Sequence, residues 1–220
     1  MIRPGQAPNF CSQCGGPLVV RFLEAERRSR SVCLRCGSTE YRNPLIVVST
    51  VVAVAGEVLL CRRAVAPAAG RWAPPGGFLE CGEALEEAAA RETFEETGVK
   101  LNPRQLRLHA VSTLPEISEV YVGFLAEIPE RPETVCGPEC AEVRFFREDA
   151  IPWEELAYPD ISNYLRRHFH ERHRGEQVIH FSRLDTAAVI SSAYRICAIE
   201  ETERLRSEQT PLSQTPADTP

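Results

Sequence analysis

The residues with the clearest chemical potential are the glutamates of one stretch, Gly77 to Val99, with the sequence GFLECGEALEEAAARETFEETGV. On a helix, Glu92, Glu95 and Glu96 stand at i, i+3 and i+4, so we expect their carboxylates to project from one face. That face is apolar one or two turns earlier, and a local pattern that breaks in this way tends to mark function. Carboxylate oxygens on a rigid helix suit Mg²⁺, which binds a few carboxylates together with water and phosphate oxygens. The alternative interpretation is a solvated acidic face.

A second group of ligand-type residues lies near the N-terminus. Two Cys-x2-Cys pairs, each followed by a glycine, are formed by Cys11, Cys14, Cys33 and Cys36. Two such pairs can place four thiolates tetrahedrally around one zinc ion, and because the protein would fill all four positions the site would be structural. For so small a segment the metal would also supply most of the folding free energy. The alternatives are two disulfides or four unligated thiols.

Composition limits the classes of partner. The net charge is −6, so the chain is not suited to hold nucleic acid or anionic membrane by bulk electrostatics. Arg27, Arg28 and Arg30 are the only local support for a nucleic-acid-binding ribbon, and we interpret them as a solvated loop tip. No uncharged run reaches the length of about 18 residues needed for a membrane span, and MIRPGQAPNF lacks the apolar stretch of a signal peptide. We therefore expect a cytoplasmic protein without a membrane partner.

The elements that would position these residues alternate between strand and helix. The β-branched run at 45–55 predicts a buried strand, and a turn at Gly56-Glu57 would lead into a second strand at 58–63. After a loop at 64–77, we predict a helix over 83–97 that ends at Gly98 in a left-handed cap. Further strands are expected at 120–128 and 142–146, and a second helix at 159–174.

The acidic stretch as a whole resembles the signature of the Nudix hydrolases. The matching positions run from Gly77 through Glu83, Arg91-Glu92 and Glu95-Glu96 to Gly98 and Val99; Thr93 departs from the usual aliphatic residue. The cysteine pairs followed by YRNPLIVV, GRWAPPGGFLECGE, VYVGFLAEI and IPWEELAYP are similar to the Nudix subgroup with an N-terminal zinc ribbon, over roughly residues 10–172. This resemblance implies an α/β fold, an α/β/α sandwich around a mixed β-sheet, preceded by a small zinc ribbon.

The resemblance also gives expected boundaries. We assign residues 1–42 to the zinc ribbon and 43–174 to the Nudix domain. Residues 175–206 would form a C-terminal extension that could be helical, although VISSAYRICAI also suits a strand. Residues 207–220, which are polar and rich in proline, are expected to be disordered.

The family signature implies metal ligands. Glu92, Glu95 and Glu96 would bind Mg²⁺ or Mn²⁺, helped by a backbone carbonyl of Gly76 or Gly77. The ribbon would hold the structural Zn²⁺.

Supporting and catalytic roles follow from the same resemblance. Glu83 would support the loop before the helix, and Arg91 would hold a carboxylate in place. A further acid from a loop before a late strand would act as a base or an extra ligand. Glu139 and Glu142, in GPECAEVRFF, fit that description equally.

The implied activity is Mg²⁺-dependent hydrolysis of the pyrophosphate bond of a nucleoside diphosphate derivative. ADP-ribose or FAD, with release of AMP, is favoured because Pro115 lies 16 residues after Val99, as in Nudix enzymes that act on ADP-ribose. A segment of the SQPW type, typical of the NADH-cleaving branch, is absent after Val99, which ranks NADH lower. Either Arg62 or Arg63 could contact phosphate.

Two alternatives stay open. One is a pyrophosphatase for NADH or nucleoside triphosphates, including oxidised ones. The other is a non-enzymatic Nudix ligand sensor whose ribbon binds nucleic acid or protein; such a sensor would be expected to lose the signature carboxylates, and all of them are present. The partner would be a small nucleotide, nucleic acid is not expected, and a homodimer is one option for the assembly. The three histidines of RRHFHERHR, at 168, 170 and 173, do not share one helical face and do not predict a metal site.

Overall fold

The computed structural model describes residues 8–184 of the 220. The extension at 185–206 and the tail at 207–220 lie outside the described residues. At the N-terminal end, β1 (Leu18–Leu23), β2 (Arg28–Cys33) and β3 (Thr39–Glu40) form a small antiparallel sheet. Leu18 lies opposite Cys33 across β1 and β2, which brings the second cysteine pair back beside the first.

The main sheet is mixed, as the resemblance predicts. Its strands are β4 (Leu45–Val54), β5 (Glu57–Arg63), β6 (Trp72–Ala73), β7 (Gly76–Phe78), β8 (Arg107–Leu114), β9 (Glu119–Glu127), β10 (Cys140–Arg147) and β11 (His180–Arg183). The order is β10-β5-β4-β9-β8-β11, with β6 paired to β5 and β7 paired to β4. The β4–β9 and β8–β11 pairs are parallel and the others are antiparallel.

One edge of strand β4 pairs with two different strands, β5 and β7. Ala53 and Val54 pair with the start of β5, whereas the segment from Val47 to Ser49 pairs with β7. The sheet therefore divides at this edge, and the glycine-containing β7 lies where β5 has moved away. This division places the backbone of β7 next to the acidic helix.

Two helices cover the two faces of the sheet. Helix α1 (Leu85–Thr97) packs Ala88 and Ala89 in one apolar cluster with Val48 of β4. Helix α2 (Pro159–Arg174) packs Leu165 in another cluster with Val51. Because successive residues of a strand face opposite sides, Val48 and Val51 mark the two faces, and the architecture is the expected α/β/α sandwich.

Several details differ from the sequence-based expectations. Helix α1 begins at Leu85 rather than at 83, since the side chain of Glu83 accepts a hydrogen bond from the Glu80 amide at 2.7 Å in the preceding loop. The predicted loop at 64–77 contains the short strands β6 and β7, and strands β8 and β11 were not predicted. Gly98 does end α1 in the left-handed region, at φ 73°. Neither helix between residues 8 and 184 is both long and apolar enough to cross a membrane.

Candidate active site

Arg91 is the centre of the acidic cluster on α1. Its Nη2 lies 2.7 Å from Glu83 Oε1, and its Nη1 lies 2.8 Å from Glu92 Oε1 and 3.1 Å from Glu95 Oε2. The same guanidinium donates a hydrogen bond to the carbonyl oxygen of Phe78 at 3.1 Å. The hydrogen bond with Arg91 lowers the pKa of Glu83. One cation thus joins Glu83, in the loop before the helix, to the acids on the helix.

Two of the helix glutamates lie against the glycines of β7. The Gly76 amide donates a hydrogen bond to Glu96 Oε2 at 3.1 Å. A side chain at Gly77 would overlap the carboxylate of Glu92, and one at Gly76 would overlap the carbonyl oxygen of Val48. Glycine is therefore required at Gly76, where the overlap is with backbone, whereas a side chain at Gly77 would displace the Glu92 carboxylate from β7. The backbone of Gly76 and Gly77 lies beside the acids, where a carbonyl could join a metal site.

Burial perturbs the same two acids. Removal from water raises the pKa of Glu92, and it raises the pKa of Glu96 to about 7, with further contributions from the charges of Glu92 and Glu139. Ionisation of these acids away from water costs free energy, and a bound cation would offset that cost. The oxygen-only donor set beside the glycines of β7 fits a hard ion such as Mg²⁺.

The three signature carboxylates do not converge on one point in this structure. Glu95 is exposed over 55% of its side chain and pairs with Arg91. Within residues 8–184, the carboxylate oxygens of these three glutamates do not all lie within 4.8 Å of one another. One ion bound by all three would require Glu95 to turn away from Arg91, and its exposure leaves it room to do so.

The loop before β10 is docked on the C-terminal end of α1. The Val135 amide donates to the Thr97 carbonyl at 2.8 Å, and the Gly137 amide donates to the Glu96 carbonyl at 3.0 Å. Any side chain at Gly137 would overlap the carbonyl oxygen of Glu95. This contact fixes the loop immediately before the two candidate acids.

The structure separates those two candidates. Glu139 lies close enough for its charge to raise the pKa values of Glu92 and Glu96. Glu142 instead pairs with Arg144 beside it on β10, and its other oxygen lies 3.9 Å from Arg62 Nη1 on β5. Of the two acids, Glu139 is therefore the one brought to the cluster.

A cavity of about 410 Å³ adjoins the acids and shares Gly76, Gly77 and Glu139 with them. Its walls come from β4, β8, β9, β11 and α2 and are largely apolar, with the aromatic rings of Phe78, Tyr121 and Tyr158 among them. Sequence reasoning did not identify these aromatic residues, because nothing in their spacing distinguishes them from core residues. The size and lining are typical of a small-molecule site.

The charged residues that line the cavity are Arg63, Glu119, Glu139, Asp160 and Arg167. Arg63 lines it, and its charge lowers the pKa of Glu96, whereas Arg62 donates to the Gly70 carbonyl at 2.9 Å outside it. Asp160, at the start of α2, also lines the cavity, and burial raises its pKa to about 6. Arg63 is therefore better placed than Arg62 to contact a phosphate.

The four ribbon cysteines meet in space. Their sulfur atoms all lie within 4.8 Å of one another, with Cys11 to Cys36 at 3.8 Å and Cys14 to Cys33 at 3.5 Å. The amide of Gly16 donates to Cys14 Sγ at 3.4 Å. This arrangement could hold one tetrahedral zinc ion.

Electrostatics within the cysteine cluster favours a bound cation. Hydrogen bonds with the side chain and backbone of Ser38 lower the pKa of Cys36 to about 6. The Gly16 amide lowers the pKa of Cys14, but the neighbouring cysteine sulfurs outweigh it and raise this pKa to about 12. Four adjacent thiolates repel one another, so all four can be charged together only around a cation.

Comparison with known families and proteins agrees with this geometry. Residues 43–168 match the family model described as NUDIX domain, and residues 9–42 match the one described as Nudix N-terminal, a zinc ribbon. An ADP-ribose pyrophosphatase from Methanocaldococcus jannaschii is 30% identical over 71% of this chain and 95% of its own length.

Other relatives are longer. An NAD-capped RNA hydrolase NudC from Haemophilus influenzae is 31% identical over 73% of this chain, which spans only 58% of that protein. Among solved structures, a NUDIX hydrolase from Nitrosomonas europaea superposes with a TM-score of 0.76 at 39% identity, covering 81% of this chain and 99% of that one.

Proposed function

We propose that this pyrophosphohydrolase, which belongs to the Nudix hydrolase family and carries the family's N-terminal zinc ribbon, acts on an ADP-linked diphosphate. ADP-ribose or FAD would be split by water into AMP and the other phosphorylated half. The observation that carries the proposal is the largely apolar cavity that shares Gly76, Gly77 and Glu139 with the acidic cluster. A nucleoside seated in that cavity would place its diphosphate beside the acids.

The acidic cluster supplies the reaction centre of the proposal. Glu92, Glu95 and Glu96 would hold Mg²⁺ or Mn²⁺ together with a carbonyl of Gly76 or Gly77. When bound, such an ion neutralises phosphate charge and lowers the pKa of a coordinated water. These roles are supported by the close approach of Glu92 and Glu96 to the glycines and by their raised pKa values.

Other residues would orient the substrate and water. Arg91 would keep Glu92 in place through its 2.8 Å ion pair. Glu139 would accept a proton from the attacking water or complete the metal site, since it lies near the acids and lines the cavity. Arg63 would bind a phosphate oxygen.

The choice of substrate is supported by the hairpin between β8 and β9. Pro115 lies in that turn, and the neighbouring residues Leu114, Ile117 and Glu119 line the cavity. The turn with the marker proline therefore borders the same cavity. The name of the archaeal relative, ADP-ribose pyrophosphatase, agrees with this choice.

A dinucleotide of the NAD type is the second candidate, because several relatives are named NAD-capped RNA hydrolase. Those proteins extend well beyond the length that this chain spans. The protein would act in the cytoplasm, where thiols stay reduced and the four cysteines can serve as metal ligands.

The test is a substrate panel with Mg²⁺ and identification of the products. The panel would contain ADP-ribose, FAD, NADH, coenzyme A, diadenosine polyphosphates and 8-oxo-dGTP, with Glu96→Gln protein as the control for contaminating phosphatases. We expect the highest kcat/KM for ADP-ribose or FAD and AMP as a product. A higher kcat/KM for nucleoside triphosphates or for NADH than for both would refute the substrate assignment, and no turnover of any compound would favour the ligand-sensor alternative.

A further inference from the structure

A second cluster of metal-ligand side chains lies on the far side of the sheet from the acidic helix. It combines His109 of β8, Glu171 of α2 and His180 of β11, which come together only in the folded chain. His109 Nε2 lies 3.1 Å from Glu171 Oε2, and His180 Nε2 contacts the other oxygen, Oε1. Across residues 8–184, this trio and the four ribbon cysteines are the two groups whose ligand atoms all lie within 4.8 Å.

The cluster is largely buried, and two of its nitrogen atoms have no hydrogen-bond partner. His109 is 3% exposed and Glu171 is 7% exposed. The Nδ1 atoms of His109 and His180 are both buried, and neither has a hydrogen-bond partner. The two imidazoles therefore face the carboxylate through Nε2 alone. One carboxylate and two imidazole nitrogens thus lie together in a form that a single divalent cation could bind.

The donor set fits a metal of the zinc class. Imidazole nitrogens and a carboxylate oxygen bind zinc at about 2.0–2.2 Å, so two ligand atoms on one tetrahedral ion lie roughly 3.3 Å apart. The 3.1 Å separation of His109 Nε2 and Glu171 Oε2 is close to that value. Hard ions such as Mg²⁺ prefer all-oxygen sites, so the two nitrogens favour Zn²⁺.

We propose that His109, Glu171 and His180 form a second zinc site, separate from both the cysteine ribbon and the acidic helix. Three protein ligands leave a fourth position for water. A cavity of about 430 Å³, lined by His109 and Glu171, provides the entry route and the room for that water. The proposal stands independently of the substrate assignment above.

An ion bound at this site would also link elements at one side of the sheet. Among residues 8–184, strand β11 is an edge of the sheet and pairs only with β8, in parallel, through four residue pairs. A zinc ion on His109, Glu171 and His180 would join β11 to both β8 and α2. Because His180, Ser182 and Leu184 line the 410 Å³ cavity, the ion would hold one wall of the candidate substrate site.

Zinc stoichiometry of the full chain tests this site. After loading with zinc and dialysis, elemental analysis should find two zinc ions per wild-type chain and one in His180→Gln. Glu96→Gln should keep two, which shows that the second ion is not on the acidic helix. His173→Gln, which changes an exposed histidine of α2 outside the cluster, is the control and should keep two. One zinc in the wild type, or two in His180→Gln, would overturn the proposal.

A spectroscopic measurement on the wild type avoids any dependence on how the variant folds. Protein with one zinc in the ribbon should take up one Co²⁺ and show visible d–d bands without thiolate-to-cobalt charge-transfer bands, because the ligands are nitrogen and oxygen. The same bands should appear in Glu96→Gln. No bands, or bands of thiolate origin alone, would mean that the three side chains form only a hydrogen-bonded cluster.

Discussion

The raised pKa of Glu96 makes the stability of the Mg²⁺-free protein depend on pH in a specific direction. Burial moves this pKa from its ordinary value of 4.5 to about 7, which corresponds to about 3 kcal/mol of free energy. The folded state then binds the proton more tightly than the unfolded state. The contribution to the free energy of unfolding is therefore complete below pH 4.5 and is lost as the pH rises through about 7.

The assay compares wild-type protein with Glu96→Gln, whose side chain stays neutral at every pH. Urea denaturation, followed by far-ultraviolet circular dichroism between pH 5 and 8 without Mg²⁺ and with the ribbon zinc kept, gives both free energies of unfolding. We expect the wild type to lose up to about 3 kcal/mol relative to the variant over this range. Glu95→Gln, at an exposed neighbouring position, should follow the wild type. Parallel curves for the wild type and Glu96→Gln would refute the claim that partial burial raises the pKa of Glu96.

Three further predictions concern activity and metal content. Glu96→Gln should lower kcat by at least about 100-fold without loss of the fold, whereas Glu86→Gln, on an exposed part of the same helix, should be nearly silent; equal effects would contradict the proposed face. Glu139→Gln should lower kcat by about 100-fold or more and Glu142→Gln by less than about threefold, and the reverse order in steady-state kinetics would exchange their roles. Cys33→Ser should lose one zinc by elemental analysis, so an unchanged zinc content would refute the ribbon site.

The elements that carry strong local signals could be predicted from the sequence. The β-branched run of β4 and the left-handed glycine at 98 that ends α1 are where they were expected. Strand β8 was missed because RLHAVSTL has no clear alternation, and its pairing with β9 decides its conformation. The signature residues were found because they share one helix and one loop.

Residues that meet only through tertiary structure could not be found in this way. The choice between Glu139 and Glu142 depends on the docking of Gly137 against α1, which no local pattern encodes. His109 and Glu171 are 62 residues apart, and His180 lies on a strand that the sequence did not predict. The histidines that the sequence brings together, in RRHFHERHR, are not the ones that form the cluster.

The central claim is that water cleaves an ADP-linked diphosphate at the acidic helix with the help of a divalent metal. The most direct measurement is incubation of the wild-type protein with ADP-ribose in ¹⁸O-labelled water, with mass spectrometry of the products. We predict AMP and ribose 5-phosphate, with one ¹⁸O atom per cleavage in the phosphate group of one product or the other. The products should form only when Mg²⁺ or Mn²⁺ is present. Cleavage at an equal rate without divalent metal, or products that lack AMP, would contradict the account.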